Sequence, residues 1–370
     1  MLVREISWIV VAQNVLKEIE IFGFAKHKVD RLGEESPIGL RTTYNAAVDG
    51  VLVIDKPAGV TSHDVVDEVR RILHVRRVGH TGTLDPFATG VLVVMVGRAT
   101  RLAQFLSGAE KEYEAVIRLG YATDTGDRTG NRIPEAAGGG DNQTAERLLS
   151  KDSAQEIETA LAALRGEIDQ VPPMYSAKKQ AGRKLYELAR RGEEVERKPV
   201  RVCIYRFEPI TLASKPTTEL LKDNRDGTFD FEVRVDCSAG TYIRTLAEDF
   251  GKRLGVGAHL AELRRTRAGD FRAQEATTLE QLKVHFAEES LGRIMHPPDE
   301  ALARLPFVDL IAEEVRRVRN GLSIKIANAV WSDGEQVRMR DEKGELVAVA
   351  EFNTTEGSLH ASVVIGRGES

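Results

Sequence analysis

The 370-residue chain reads as an α+β protein on a mixed or antiparallel sheet, followed by a small β-rich domain. Three observations carry that reading. Strand-like runs and helix patterns alternate irregularly, which argues against a doubly wound parallel sheet. The texture breaks at Pro297 and Pro298, and short strand-like runs dominate beyond them. Hydrophobic residues at 42% and charged residues at 29% are ordinary for a globular chain, so the composition suggests neither a disordered nor a membrane protein. Such a length carries a prior of about two or three domains.

Residues 1–49 are weakly patterned: Trp8, Ile9, Val10 and Val11 precede a charged stretch through Glu35. They are expected to be an N-terminal extension, either a real appendage or an upstream start. The apolar run 6–12 is too short to span a bilayer and is flanked by acidic residues. At Gly50 the character changes. GVLVIDKPAGVTS (50–62) is a short β-branched strand ended by a Lys-Pro-Ala-Gly turn. Val65, Val66, Val69, Ile72 and Leu73 then recur at helical spacing over 62–74, with Ser62 as the expected N-cap.

GHTGTLDPFATG (79–90) holds too much Gly, Thr and Pro for regular structure. It is a loop, followed by a strand at 91–97 and a helix from Ala99. A strand alternates over 113–119, and the Gly- and Asp-rich stretch 126–142, with its run Gly138, Gly139 and Gly140, reads as exposed loop. A short amphipathic helix covers 156–164, and strands resume at 203–209 and 229–237. Past the proline pair come a helix at 311–320, a Gly321 C-cap and strands at 322–327, 336–340, 346–352 and 360–365.

A net charge of −5 excludes binding of nucleic acid by bulk charge, so any such site must be a local patch. Between Arg165 and Arg206 eleven basic residues face six acidic ones. That asymmetry fits a local anionic partner, and it equally fits a solvated helix face. Cys203 and Cys237 sit in apolar, strand-like surroundings without a CxxC or Cys/His cluster. Neither a disulfide framework nor a zinc site is expected, and a reducing, cytoplasmic location is.

Asp85 stands out because Pro86 restricts its backbone to extended conformations while Gly79, Gly82 and Gly90 permit turns around it. A loop of that kind can hold one carboxylate rigidly at a cleft. Taken singly, Asp85 equally suits a turn residue. Tyr113 in KEYEA fits a half-buried strand tyrosine, and Arg244 in SAGTYIRTLAEDFG fits a surface arginine with a snorkelling stem. Leu263, beside Arg264 and Arg265, is equally weak alone.

Together these segments resemble the TruB-type tRNA pseudouridine synthases. DKPAGVTSHDVV, GHTGTLDPFATGVL, KEYEA, PPMYSAKKQAGRKLYELAR, GTYIRTLAEDFG and AHLAELRRT stand in family order across about residues 50–270. The resemblance implies a pseudouridine synthase catalytic domain at 50–292 with a basic thumb at about 172–202, and a PUA-like RNA-binding domain at 293–370. It implies that Asp85 is the essential carboxylate and Arg244 its partner. Tyr113 is then the tyrosine that stacks on the target base or takes its C5 proton. Leu263 and Tyr242 become pocket residues, His80 helps extrude the uridine, and Lys56 with Pro57 buttresses the loop. It further implies uridine-to-pseudouridine isomerisation in the T-loop of tRNA by a monomer.

The chemistry is compatible with those roles. Moving the ribosyl bond from N1 to C5 of the same uracil involves no redox change and needs no metal or cofactor. The chain has no GxGxxG, Walker loop or metal-ligand cluster. An arginine within about 4 Å of Asp85 favours its ionised form, with a lowered pKa. An extruded base recovers part of its unstacking energy on an aromatic ring. Three rivals stand beside this reading. A guide-RNA-dependent synthase of the dyskerin type lacks most of the long basic thumb. A non-catalytic RNA-binding or folding protein has no need of Asp85, Arg244 and Tyr113 together. A glycoside hydrolase requires a second carboxylate near Asp85, and no candidate is evident.

Overall fold

The computed structural model describes residues 48–133, 153–175, 179–180, 183–184, 195–210, 220–327 and 329–365. The expected extension through residue 47, the glycine run 138–140 and about half of the expected thumb, including 185–194, lie outside the described residues.

The chain enters β1 (Gly50–Lys56), α1 (Ser62–Leu73), β2 (Val78–His80) and β3 (Thr89–Val96). A 3-10 turn at Gly97–Leu102 leads into α2 (Ala103–Ser107) and β4 (Lys111–Leu119). Next come α3 (Ser153–Ala162), β5 (Gly166–Gln170), the two-residue strands β6 (Lys179–Gln180) and β7 (Arg183–Lys184), then β8 (Val200–Pro209). After β9 (Leu221–Asp223) and β10 (Phe229–Cys237) stand α4 (Ile243–Arg253), β11 (Ala258–Ala268), β12 (Phe271–Arg272), α5 (Leu279–Ala287) and β13 (Met295–His296). The last region holds β14 (Phe307–Asp309), α6 (Ala312–Arg319), β15 (Ile324–Lys325), β16 (Gln336–Arg340), β17 (Leu346–Asn353) and β18 (Ser358–Val364).

Eleven strands form one sheet whose main path runs β13-β1-β3-β11-β4-β10-β8-β5. It is antiparallel except where β11 lies parallel to β3 at Arg264 and Arg265. The expected mixed α+β architecture is therefore what the chain adopts. β1 reads as unbroken apolar sequence because both its faces are covered. Leu52 and Ile54 pack with Val65 and Val69 of α1 and Leu282 of α5, while Val51 and Val53 pack with Leu102, Phe105 and Val349 of β17. β4 alternates because its two faces differ. Tyr113, Ala115, Ile117 and Leu119 join a core with Phe231 of β10 and Phe250 of α4. On the opposite face Glu112 pairs with Arg206 at 2.9 Å, Glu114 with Arg234 at 3.0 Å and Arg118 with Asp230 at 2.7 Å.

The expected N-cap of α1 is corrected by one residue. Thr61, not Ser62, caps the helix, donating to and accepting from Asp64 in a reciprocal box. Asp64 three positions on completes the box, and that frees the Ser62 hydroxyl for another use. The five buried apolar residues of this helix contribute about 1.5–3 kcal/mol each, against about 1 kcal/mol for the cap. The buried face decides that the helix forms, and the cap decides where it begins. The helix expected from Ala99 opens instead with the 3-10 turn.

Gly90 is where β3 meets β11. Its φ is +98°, and a Cβ there would lie 2.2 Å from the Arg265 carbonyl oxygen. Gly90→Ala is expected to lower stability by about 2–4 kcal/mol, combining backbone strain with a clash against backbone that cannot step aside. A urea unfolding midpoint unchanged from wild type would refute this.

The C-terminal region builds a five-stranded sheet, β14-β16-β17-β18-β15, with β14 parallel to β16 and α6 against one face. It shares core with the main sheet, because Leu346, Val349 and Ile365 cluster with Val51, Val91 and Phe105. Arg338, buried, donates to the Leu305 carbonyl at 3.0 Å and to Asp299 at 2.6 Å, pinning the connecting segment. No helix among the described residues is long and apolar enough to cross a membrane.

Candidate active site

The loop between β2 and β3 is held in place chiefly by the corner that joins β1 to α1. Ser62 accepts from the Leu84 amide at 2.8 Å and donates to the Leu84 carbonyl at 3.1 Å. Lys56, fully buried, donates to the carbonyls of Pro57 at 2.9 Å, Pro86 at 3.2 Å and Ala88 at 2.7 Å. The Gly59 amide adds a bond to the Pro86 carbonyl at 2.8 Å. Burial lowers the Lys56 ammonium to about 8, with Asp85 opposing that drop. A charged amine with three carbonyl acceptors stays protonated at neutral pH. Asp85 sits between the anchored residues Leu84 and Pro86, so its carboxylate is aimed before any substrate arrives.

Arg244 reaches the same point from α4. Its Nε lies 2.9 Å from Asp85 Oδ2 and its Nη2 donates to Oδ1 at 3.1 Å, a two-pronged pairing. The guanidinium also donates to the Thr125 carbonyl at 2.8 Å and the Tyr175 carbonyl at 2.6 Å. Asp127 stands 3.9 Å away and is itself held by Thr125 and Thr129. Arg244 retains 5% of its side-chain exposure and Asp85 33%, so the carboxylate is the more accessible member of the pair. Burial pushes the Asp85 carboxyl above its ordinary value, Arg244 opposes this, and Asp127 adds to it. The lowered pKa expected from Arg244 alone is corrected here: desolvation is the larger effect.

Asp85 opens into a cavity of about 280 Å³, near the lower end of small-molecule sites. Tyr113, Tyr242, Arg244 and Leu263 also line it. These come from β4, the residue before α4, α4 and β11, elements distant in sequence. Gln170, fully buried on β5, fixes the backbone of Tyr242 by accepting from its amide at 2.9 Å and donating to its carbonyl at 3.3 Å. Tyr113 is buried, and that raises its phenol pKa while Arg265 opposes the rise. The remaining two expected site residues stand behind the cavity wall. Lys56 lies under the loop, and His80 ends β2, where burial lowers its imidazole pKa and its Nδ1 has no hydrogen-bond partner among the described residues.

Several site residues went unassigned in the sequence. Arg265, 2% exposed, lines the cavity and donates to the carbonyls of Val91 at 2.7 Å and Gly82 at 3.0 Å. Lys111, two residues before Tyr113 on the same strand face, lines the cavity as well. Asp127 falls in the stretch expected to be exposed loop, yet it is 4% exposed. Its signal was available: in DTGDRTG the flanking threonines can satisfy a buried carboxylate locally.

The model of the TruB family pseudouridylate synthase N-terminal domain matches residues 70–243, and that of the tRNA pseudouridylate synthase B C-terminal domain matches residues 244–303. The tRNA pseudouridine synthase B of Geobacillus thermodenitrificans is 43% identical over 75% of this chain and 86% of its own length. That of Aromatoleum aromaticum is 48% identical over 72% and 77%. Among solved structures, a Cbf5-Nop10-Gar1 complex aligns with a TM-score of 0.61 at 29% identity, covering 86% of this chain and 85% of that one. The family models and the relatives agree: the chain belongs to the TruB family of pseudouridine synthases, which isomerise uridine to pseudouridine in tRNA.

Proposed function

We propose that the substrate uridine lies in the T-loop of tRNA, at the conventional position 55, and that Asp85 performs the essential step. The observation that carries the assignment is the two-pronged Asp85–Arg244 pair at the mouth of the cavity. The reaction breaks C1′–N1, makes C1′–C5 and moves the C5 proton to N1, with no change in electron count. Addition at C6, attack at C1′ and proton abstraction toward a glycal all need an ionised carboxylate within reach of the nucleoside. Arg244 supplies charge and aim. Tyr113 stacks on the extruded base; its raised pKa keeps it a neutral phenol and argues against a phenolate base for the C5 proton. Leu263 and Tyr242 wall the base, His80 supports extrusion from behind, and Lys56 holds the loop.

The wider architecture fits one RNA-bound chain. The basic segment at about 172–202 closes over the T-arm, and residues 293–370 act as a PUA-like RNA-binding domain behind a catalytic domain at 50–292. The enzyme works in the cytoplasm as a monomer and needs no cofactor. The test is tritium release from C5-labelled uridine in an unmodified tRNA transcript, beside a transcript whose T-arm is deleted. Release from the first alone supports the proposal. Equal release from both defeats the T-arm assignment, and activity only on addition of a guide RNA places the chain with the guide-dependent synthases instead.

A further inference from the structure

The cavity is more cationic than one carboxylate requires. Besides Arg244, which is consumed by Asp85 and two carbonyls, Lys111 and Arg265 line it. Lys111 is 8% exposed and Arg265 2%. Both lie on one face of the sheet: Lys111 and Tyr113 are alternate residues of β4, and Arg265 is the cross-strand partner of Tyr113. Two desolvated cations therefore flank the tyrosine. Burying them is unfavourable unless an anion repays it. No carboxylate pairs with either among the described residues. Lys111 donates only to the carbonyls of Ser107 and Ala109, which leaves its third N–H without a partner there. Arg265 uses Nε and Nη2 on carbonyls and is also hydrogen-bonded to the Tyr113 side chain.

We infer that Lys111, seconded by Arg265, is the electrostatic partner of the uracil ring when it carries negative charge. The inference rests on the isomerisation and on Asp85 as its nucleophile or base. It is independent of route. Addition at C6 leaves an enolate on the O4 side, whereas scission of C1′–N1 leaves a uracil anion delocalised over N1, O2 and O4. The electron pair of the broken bond stays on the base until C5 bonds to C1′ and N1 takes up a proton. A fixed cation beside such an oxyanion acts without reorganisation in a site closed to water, and removing one such donor typically slows catalysis about 10²–10³-fold. The groups facing Lys111 are Arg265 from β11, Cys237 from β10 and Arg304 from beyond β13; burial first, then Arg265, lowers its ammonium to about 8. It is therefore mostly charged at neutral pH.

The test uses the full chain and single-turnover tritium release at saturating enzyme and pH 7. Lys111→Gln keeps an N–H donor for the Ser107 and Ala109 carbonyls but removes the charge, and Lys111→Arg restores charge. Lys111→Gln is expected to bind tRNA within threefold of wild type and to isomerise about 10²-fold more slowly, with at least tenfold recovered by Lys111→Arg. A transcript carrying 5-fluorouridine separates chemistry from structure. Fluorine stabilises the uracil anion, so the Lys111→Gln defect in cleaving C1′–N1, followed as loss of N1-linked nucleoside, should shrink about tenfold. A Lys111→Gln rate within threefold of wild type, or an equal defect on both bases, overturns the inference while leaving the isomerase reading intact. A silent wild type would sink that reading instead.

Discussion

Asp85→Asn is expected to bind tRNA with unchanged affinity and to turn over at least about 10⁴-fold more slowly, as for loss of a group that acts covalently or as the obligatory base. The geometry makes this substitution unusually clean. The loop is held by Lys56, Ser62 and Gly59 through backbone groups of Leu84, Pro86 and Ala88, so the side chain can change without releasing it. The carboxamide oxygen can still accept from Arg244. Filter binding and single-turnover rates on the same preparation decide the matter, and a rate within tenfold of wild type would remove Asp85 from the chemistry. Stability should respond in the opposite sense. The folded-state pKa of Asp85 is raised, so the folded protein holds its proton where the unfolded chain has already lost it. Wild type therefore loses stability as pH rises through the window above the ordinary Asp value, and Asp85→Asn should not show that loss.

Arg244→Gln is expected to reduce the rate about 10²–10³-fold and to move the acid limb of kcat/KM upward. The sign follows from the causes at Asp85: burial raises its pKa and Arg244 opposes the rise. Without the guanidinium, burial and Asp127 act unopposed, and a higher pH is needed to ionise the carboxylate. An acid limb at the wild-type position would show that Asp85 does not titrate in the rate. Arg244→Lys should rescue little. A single ammonium cannot address both Asp85 oxygens and the carbonyls of Thr125 and Tyr175 from one planar fork. Leaving a buried carbonyl unpaired also costs about 1–3 kcal/mol of stability, so thermal melts should accompany the kinetics.

Local rules read some elements fully and others not at all. KEYEAVIRL alternates because one face is core and the other a ladder of ion pairs, and a period of two survives in the residue types. β11 carries Arg264, Arg265 and Arg267 and yields no such pattern. Arg265 is buried by bonding carbonyls, and Arg264 reaches Asp55 on β1 at 2.8 Å. A central strand thus looks like a polar segment until its partners are in place. Asp85 and Arg244 could be named only through the family resemblance of the segments that carry them, because each alone reads as an ordinary turn aspartate or surface arginine. The direction of the Asp85 pKa could not, because the burial that raises it and the charge of Asp127 that adds to it arise only where distant segments converge. The same holds for Lys111 and Arg265, whose significance is that no carboxylate pairs with them among the described residues.

The position of β11 also bears on when the enzyme comes into being. β3 and β4 follow each other in the chain but never pair in the sheet; the slot between them is filled by residues 258–268. Asp85 belongs to the portion before that slot and Arg244 to the portion after it, and 159 positions separate them. Pairings of such long range form late, after the loop-closure entropy has been met. A nascent chain emerging from the ribosome therefore carries its carboxylate loop for about half of its synthesis before residues 258–268 are made. A chain truncated before residue 258 lacks the strand that stands between β3 and β4 and is expected not to reach the arrangement that joins Asp85 to Arg244.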